Sequence, residues 1–127
     1  MGEGARVWLV PDGYIPAGST GAFESHEAIC VLNTGDAPAE LTIDFFFEDR
    51  EPLSGTASVE ARRTRHIRTD HPDELGGALV PRGVPYAVRI RSNVPVTVQH
   101  SRLDSTQPAL TLMTTMGWPL DEDSGDV

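Results

Sequence analysis

The sequence predicts an all-β protein: a single-domain antiparallel β-sandwich of about eight short strands, spanning residues 1–119, with an acidic tail over 120–127. Three observations predict it. Ten prolines and twelve glycines cut the chain into short pieces rich in Val, Ile, Phe and Thr, the pattern of strands separated by turns. Several pieces alternate apolar and polar residues, which is the period of a half-buried strand. The spacing of an amphipathic helix is sustained nowhere.

In chain order, strands are expected near Arg6–Val10, Ala28–Asn33, Leu41–Glu48, Thr56–Ala61, Thr64–Arg68, Tyr86–Arg91, Val96–Ser101 and Leu110–Thr115, and eight short strands suit a sandwich. Asn33-Thr34-Gly35-Asp36 supplies residues that tolerate positive φ between two apolar runs, which suits a hairpin bend; Asp12-Gly13 and Ser54-Gly55 can serve likewise. Asp70–Pro85 holds His71-Pro72, Gly76-Gly77, Pro81 and Gly83 without alternation, and reads as a loop linking two halves of the sheet system.

Alternation sorts the faces. Leu41, Ile43, Phe45 and Phe47 share one side of their strand, with Thr42, Asp44, Phe46 and Glu48 opposite. Val94, Val96 and Val98 continue into His100 and Arg102, which places that pair at the rim where the strand leaves the core. Ala28–Leu32 is apolar on both sides, so this strand is either central to the sandwich or covers a surface that another subunit buries. Trp8, Phe46 and Trp118 either join such an intersubunit patch or pack in the core.

Composition narrows the function. The formal charge is −9, and four of the 19 acids stand in the last seven residues. Net acidity disfavours general nucleic-acid binding. Arg62–Arg68 is one basic cluster, but a strand would point Arg63 and Arg65 one way and Arg62, His66 and Arg68 the other, and cross-strand pairing with Asp44, Glu48, Asp49 and Glu51 is the simpler expectation. The single cysteine allows no disulfide within the chain, and Cys30 in its apolar run is expected to be buried and inert. The opening residues lack signal-peptide features and no run approaches the roughly 20 apolar residues of a membrane span, so a cytoplasmic setting is expected. The tail after Trp118-Pro119 is too polar and acidic to bury, and is expected to be disordered.

Tests for chemistry give little. His26, His66 and His100 lack the close spacing of metal motifs. Ser25 and Ser101 sit in no nucleophile elbow, and Asp104 nearby does not make a triad. No catalytic residue, metal or cofactor is expected. His26, Glu27, Arg65, His66, Gln99, His100, Arg102 and Asp104 are instead the right types to contact a sugar, another small polar ligand or a protein partner.

Four segments agree in order with a known family. Trp8 with Asp12-Gly13-Tyr14-Ile15-Pro16, then Ser25–Asn33, then Arg62–Arg68, then Ser92-Asn93-Val94-Pro95 with Val98–Asp104, resemble the sensory rhodopsin transducer family across about residues 6–118. That family is named for a small soluble cytoplasmic protein that partners a light-sensing membrane rhodopsin in cyanobacteria. The resemblance implies a β-sandwich subunit similar to carbohydrate-binding modules, a homotetramer, no enzymatic activity, and a signalling role with a membrane sensory rhodopsin. Members also occur apart from any rhodopsin, which leaves a sugar-binding module as the alternative. The resemblance does not extend to Asp70–Pro85 or to the tail.

Overall fold

The computed structural model describes residues 3–19, 21–107 and 109–120. Eight strands follow one another: β1 (Ala5–Gly13), β2 (His26–Asn33), β3 (Ala39–Phe47), β4 (Leu53–Val59), β5 (Arg63–Arg68), β6 (Tyr86–Asp104), β7 (Thr111–Met116) and β8 (Trp118–Leu120), with a single 3-10 turn at Pro72–Glu74. All pairings are antiparallel. The expected all-β class is found.

The strands join into one sheet that doubles over through β6. Tyr86–Ser92 of β6 pairs with β1 and β3, giving a first layer ordered β4-β3-β6-β1-β8. Thr97–Asp104 pairs with β2 and β7, giving a second layer ordered β5-β2-β6-β7. The sequence reading has two strands here, one ending at Arg91 and the next starting at Val96. The chain instead stays extended while it changes layer. Pro95 has no N–H to give a ladder, which suits the switch point, and Asn93 Oδ1 accepts the Glu40 N–H at 2.7 Å.

One apolar core fills the space between the layers. Trp8, Leu41, Ile43, Phe45, Val88 and Ile90 from the first layer meet Ile29, Val31, Ile67, Val96 and Val98 from the second, all at most 5% exposed. Phe45 and Tyr86 pack edge to face with centroids 5.9 Å apart, a favoured aromatic geometry. Trp8 belongs wholly to this core, its Nε1–H donating to Ala5 O and Val96 O.

Three turn expectations need correction. Asn33-Thr34-Gly35-Asp36 makes no hairpin: β2 and β3 lie in different layers, and the turn carries the chain between them. Buried Asn33 fastens it, donating through Nδ2 to Ala37, Val59 and Glu60 carbonyls and accepting the Gly35 N–H. Asp12-Gly13 and Ser54-Gly55 lie inside β1 and β4. Thr111–Met116 forms β7 as expected, but β8 has no counterpart in the sequence reading, since three residues containing Pro119 give no alternation to find. Leu120 pairs with Val7, while the tail from residue 121 lies outside the described residues.

The 70–85 segment is irregular, yet it adds Leu75, Ala78 and Val80 to the core. Leu75 O accepts the Thr56 N–H at 3.2 Å, which draws the loop against β4. Gly76, at φ +64°, makes this fit possible, for a Cβ there would stand 2.5 Å from Thr56 Oγ1.

Candidate functional site

The eight candidate residues fall into separate places. Glu27, His100 and Arg102 converge. Glu27 sits near the start of β2, opposite Arg102 in the ladder, and points inward; its side chain is 0% exposed. Its Oε1 accepts from Tyr14 N at 3.1 Å, from Tyr86 Oη, and from His100 Nε2 at 3.2 Å, the imidazole donating. Its Oε2 accepts from Tyr14 N at 3.0 Å and from Arg102 Nε. Arg102 Nη2 is buried without a hydrogen-bond partner among the described residues, 3.6 Å from Asp12 Oδ1.

Burial alone would push the Glu27 carboxyl up, but the hydrogen bonds from His100, Tyr86 and the Tyr14 backbone outweigh it and hold the group below the usual carboxylate range. Burial and the neighbouring Glu27 charge push the Tyr86 hydroxyl well above its ordinary value. The Tyr86 hydroxyl therefore keeps its proton near neutrality and serves as a donor. Thr69 completes the cluster, its Oγ1 lying 3.1 Å from Tyr86 Oη and its N–H donating to Glu27 O at 3.0 Å. This carboxylate ties β2 and β6 to Tyr14, just past the end of β1, and it has no exposed surface on which to meet a ligand. His100 is thus a core residue at 1% exposure, a correction to the rim position expected for it, because its ring turns in to the buried Glu27 carboxylate.

The other five residues stand apart. His26 Nδ1 bonds its own segment at Glu24 O, 2.9 Å away, and Asp104 caps a local turn through Thr106. Arg65 donates to Ser58 O at 2.8 Å and lines a polar cavity of about 530 Å³ with Glu40, Thr42, Thr56, Ser58 and Asp73. His66 and Gln99 lie on the outward face of the second layer, each directly opposite Cys30, and with Cys30, Leu32 and Met116 they line a shallow cavity of about 220 Å³. Cys30 is therefore half-buried and faces outward, against the expectation of a buried thiol; it is Ile29 and Val31 that face the core.

Register places His66 outward and His100 inward on the same layer, so the histidines do not meet. No group of three or more His, Cys, Asp or Glu suited to a metal occurs among the described residues. The arginine cluster also pairs differently from expectation. Arg62 leaves the strand at a positive φ of 58° and bonds Asp36, while Arg68 bonds Asp70. Asp44 is taken by Arg89 and Arg91, and Asp49 by Arg50. Sequence reasoning could not see the Asp44 pairings, since they depend on which strands adjoin.

It also missed β7. All six of its residues are exposed, with Leu112 at 73% and Met116 at 56%, and among the described residues it pairs only with β6. Leu32 (44%) extends the apolar surface across the outward face of the same layer. Among the described residues no helix is long and apolar enough to cross a membrane.

Comparison with known proteins accords with this architecture. Residues 3–119 match the family described as Anabaena sensory rhodopsin transducer. No curated protein matches. A crystal structure of Thermotoga maritima 1070 is 43% identical with a TM-score of 0.83, covering 94% of this chain and 97% of that one. The Anabaena sensory rhodopsin transducer is 41% identical with a TM-score of 0.71, covering 83% of this chain and 93% of that one. The match of sequence and fold over nearly the whole sandwich establishes that the chain belongs to the Anabaena sensory rhodopsin transducer family.

Proposed function

We propose that this protein is a non-enzymatic, cytoplasmic signalling protein that acts as a homotetramer and couples a membrane sensory rhodopsin to a downstream target. The observation that carries the assembly is β7. An edge strand offers unpaired N–H and C=O groups, and natural proteins usually blunt such edges with charge, proline or a bulge. β7 reads Thr-Leu-Met-Thr-Thr-Met, uncharged and exposed on both faces, and joins an apolar outward face at Leu32 and Met116. Such a surface suits protein contact. The rhodopsin partner is supported by the name of the Anabaena relative, and His66 and Gln99, outward on this layer, are proposed as partner contacts.

Light scattering tests the assembly: a mass about four times the 13.7 kDa chain is expected, and a one-subunit mass at micromolar concentration sinks it. Co-purification with a detergent-solubilised, retinal-loaded sensory rhodopsin tests the partner. Retention is expected, and its absence in both light and dark would discard the coupling role.

A second reading, a module for a sugar or other small polar ligand, is supported by the 530 Å³ cavity where Arg65 adjoins carboxylates and hydroxyls. It expects a thermal shift on adding neutral sugars that Arg65→Ala removes; a shift unchanged by that substitution counts against it.

A further inference from the structure

The outward face of the first layer carries groups that neither reading uses. Register sets Ser54, Asp44, Arg89, Leu9 and Trp118 in one row across five strands, with Arg91 in the next row beside Thr42 and Val7. Asp44 is only 4% exposed although it lies on an outward face. Its Oδ2 accepts from Arg89 Nε and Nη2 at 3.1 and 2.9 Å and from Arg91 Nη2 at 3.0 Å, and its Oδ1 accepts from Ser54 at 2.7 Å. The Arg89 guanidinium also lies 5.3 Å from the Phe46 ring centroid.

One carboxylate therefore fixes two guanidinium heads side by side, while their side chains remain 40% and 51% exposed. Asp44 faces the heads from one side only, so their other N–H donors are open to a second acceptor. Two arginines against one aspartate leave a local excess of positive charge in an acidic protein. Guanidinium forks match carboxylates in geometry, and heads already held in place lose little freedom on binding. Along the same row, past half-buried Leu9, Trp118 is 69% exposed and lies two strand spacings, roughly 10 Å, from Arg89.

We propose that this face binds a small acidic saccharide of the uronate class, its carboxylate bridging Arg89 and Arg91 and a sugar ring lying on Trp118. An indole face suits a polyhydroxylated ring, and a shallow open face favours such a ligand over an apolar acid that needs enclosure. Exposed Glu40 on the same face of β3, and Glu48 just past its end, oppose a polyanion. The proposal goes beyond the signalling role and does not depend on the assembly.

The test uses the full chain, with digalacturonate as probe, calorimetry for affinity and tryptophan fluorescence to report Trp118, since Trp8 is buried. Saturable binding is expected, weakened about tenfold or more by Arg91→Ala, less by Arg91→Lys, and with its fluorescence change removed by Trp118→Ala, all three variants keeping the wild-type circular dichroism. Four outcomes would overturn it: no binding at millimolar digalacturonate, equal binding of neutral cellobiose, an equal response to inorganic phosphate alone, or tighter binding of a single-stranded oligonucleotide.

Discussion

Glu27 and Asp44 are both nearly inaccessible carboxylates held by arginine, yet they occupy opposite kinds of place. Glu27 points into the interior, meets Tyr14, Tyr86, His100 and Arg102, and joins β2 and β6 to the segment that follows β1. Asp44 points outward, and its two arginines reach back toward solvent. The contrast separates holding a fold from presenting a surface. A charge enclosed on all sides has its hydrogen-bonding capacity spent within the protein, whereas a charge enclosed by its own counter-ions hands their remaining donors to whatever approaches.

The largest expected effect follows from enclosure. Glu27→Ala leaves the Arg102 guanidinium and His100 buried without their acceptor, and breaking a buried pair from one side costs about 3–5 kcal/mol, enough to unfold a marginal domain. Urea unfolding should show a midpoint far below wild type, and a loss under about 1 kcal/mol would mean that water reaches the site and that the enclosure is incomplete.

The same carboxyl predicts the response to acid. Its pKa in the folded protein lies below the ordinary value, so as pH falls the unfolded chain binds the proton first. The stability it contributes is complete above about pH 4.5, the unfolded range, and drains away as pH drops toward the folded value. Asp44 and Asp70 are held low as well: burial raises each, but Ser54 with Arg89 and Arg91 lowers Asp44 more, and Arg68 with His71 lowers Asp70 more. Melting temperature should therefore fall steeply below pH 4.5, and Glu27→Gln should flatten part of that slope. An unchanged acid limb in the variant would assign the loss to the aspartates.

Asp44→Ala should cost less, about 1 kcal/mol, because the two arginines it releases are 40% and 51% exposed and can turn to water. The sharper readout is thermal unfolding of Asp44→Ala beside Glu27→Ala. Equal losses would erase the distinction between the two carboxylates.

How much of this was legible follows from the same physics. Alternation found the inward residues of β3, because Leu41, Ile43 and Phe45 repeat every second position whatever lies across from them. β2 was legible in another way, as the continuous apolar run Ala28–Leu32. Alternation could not find that Glu27 lies opposite Arg102, 75 positions away, or that Asp44 meets Arg89 and Arg91, since those pairings are decided by the layer change in β6. The break read at Ser92–Pro95 was a real signal of proline and asparagine, but it marks where one strand changes partners. Family resemblance identified the segments holding Glu27, His100 and Arg102, and only the fold revealed that Glu27 and His100 are enclosed, with Arg102 half-buried beside them, while His66 is exposed.

The smallest effect on stability belongs to β7, and it is the one that most sharpens the division between holding and presenting. Thr114 stands in the middle of the strand, opposite Ser101, and is exposed. Thr114→Lys removes nothing from the core, so unfolding free energy should stay within about 0.5 kcal/mol of wild type. A charge on an otherwise uncharged edge opposes pairing with another strand, so the same substitution should shift the light-scattering mass downward. If the mass and the stability are both unchanged, β7 is a free edge and the assembly surface lies elsewhere. If stability falls with the mass intact, β7 belongs with Glu27 among the groups that hold the fold.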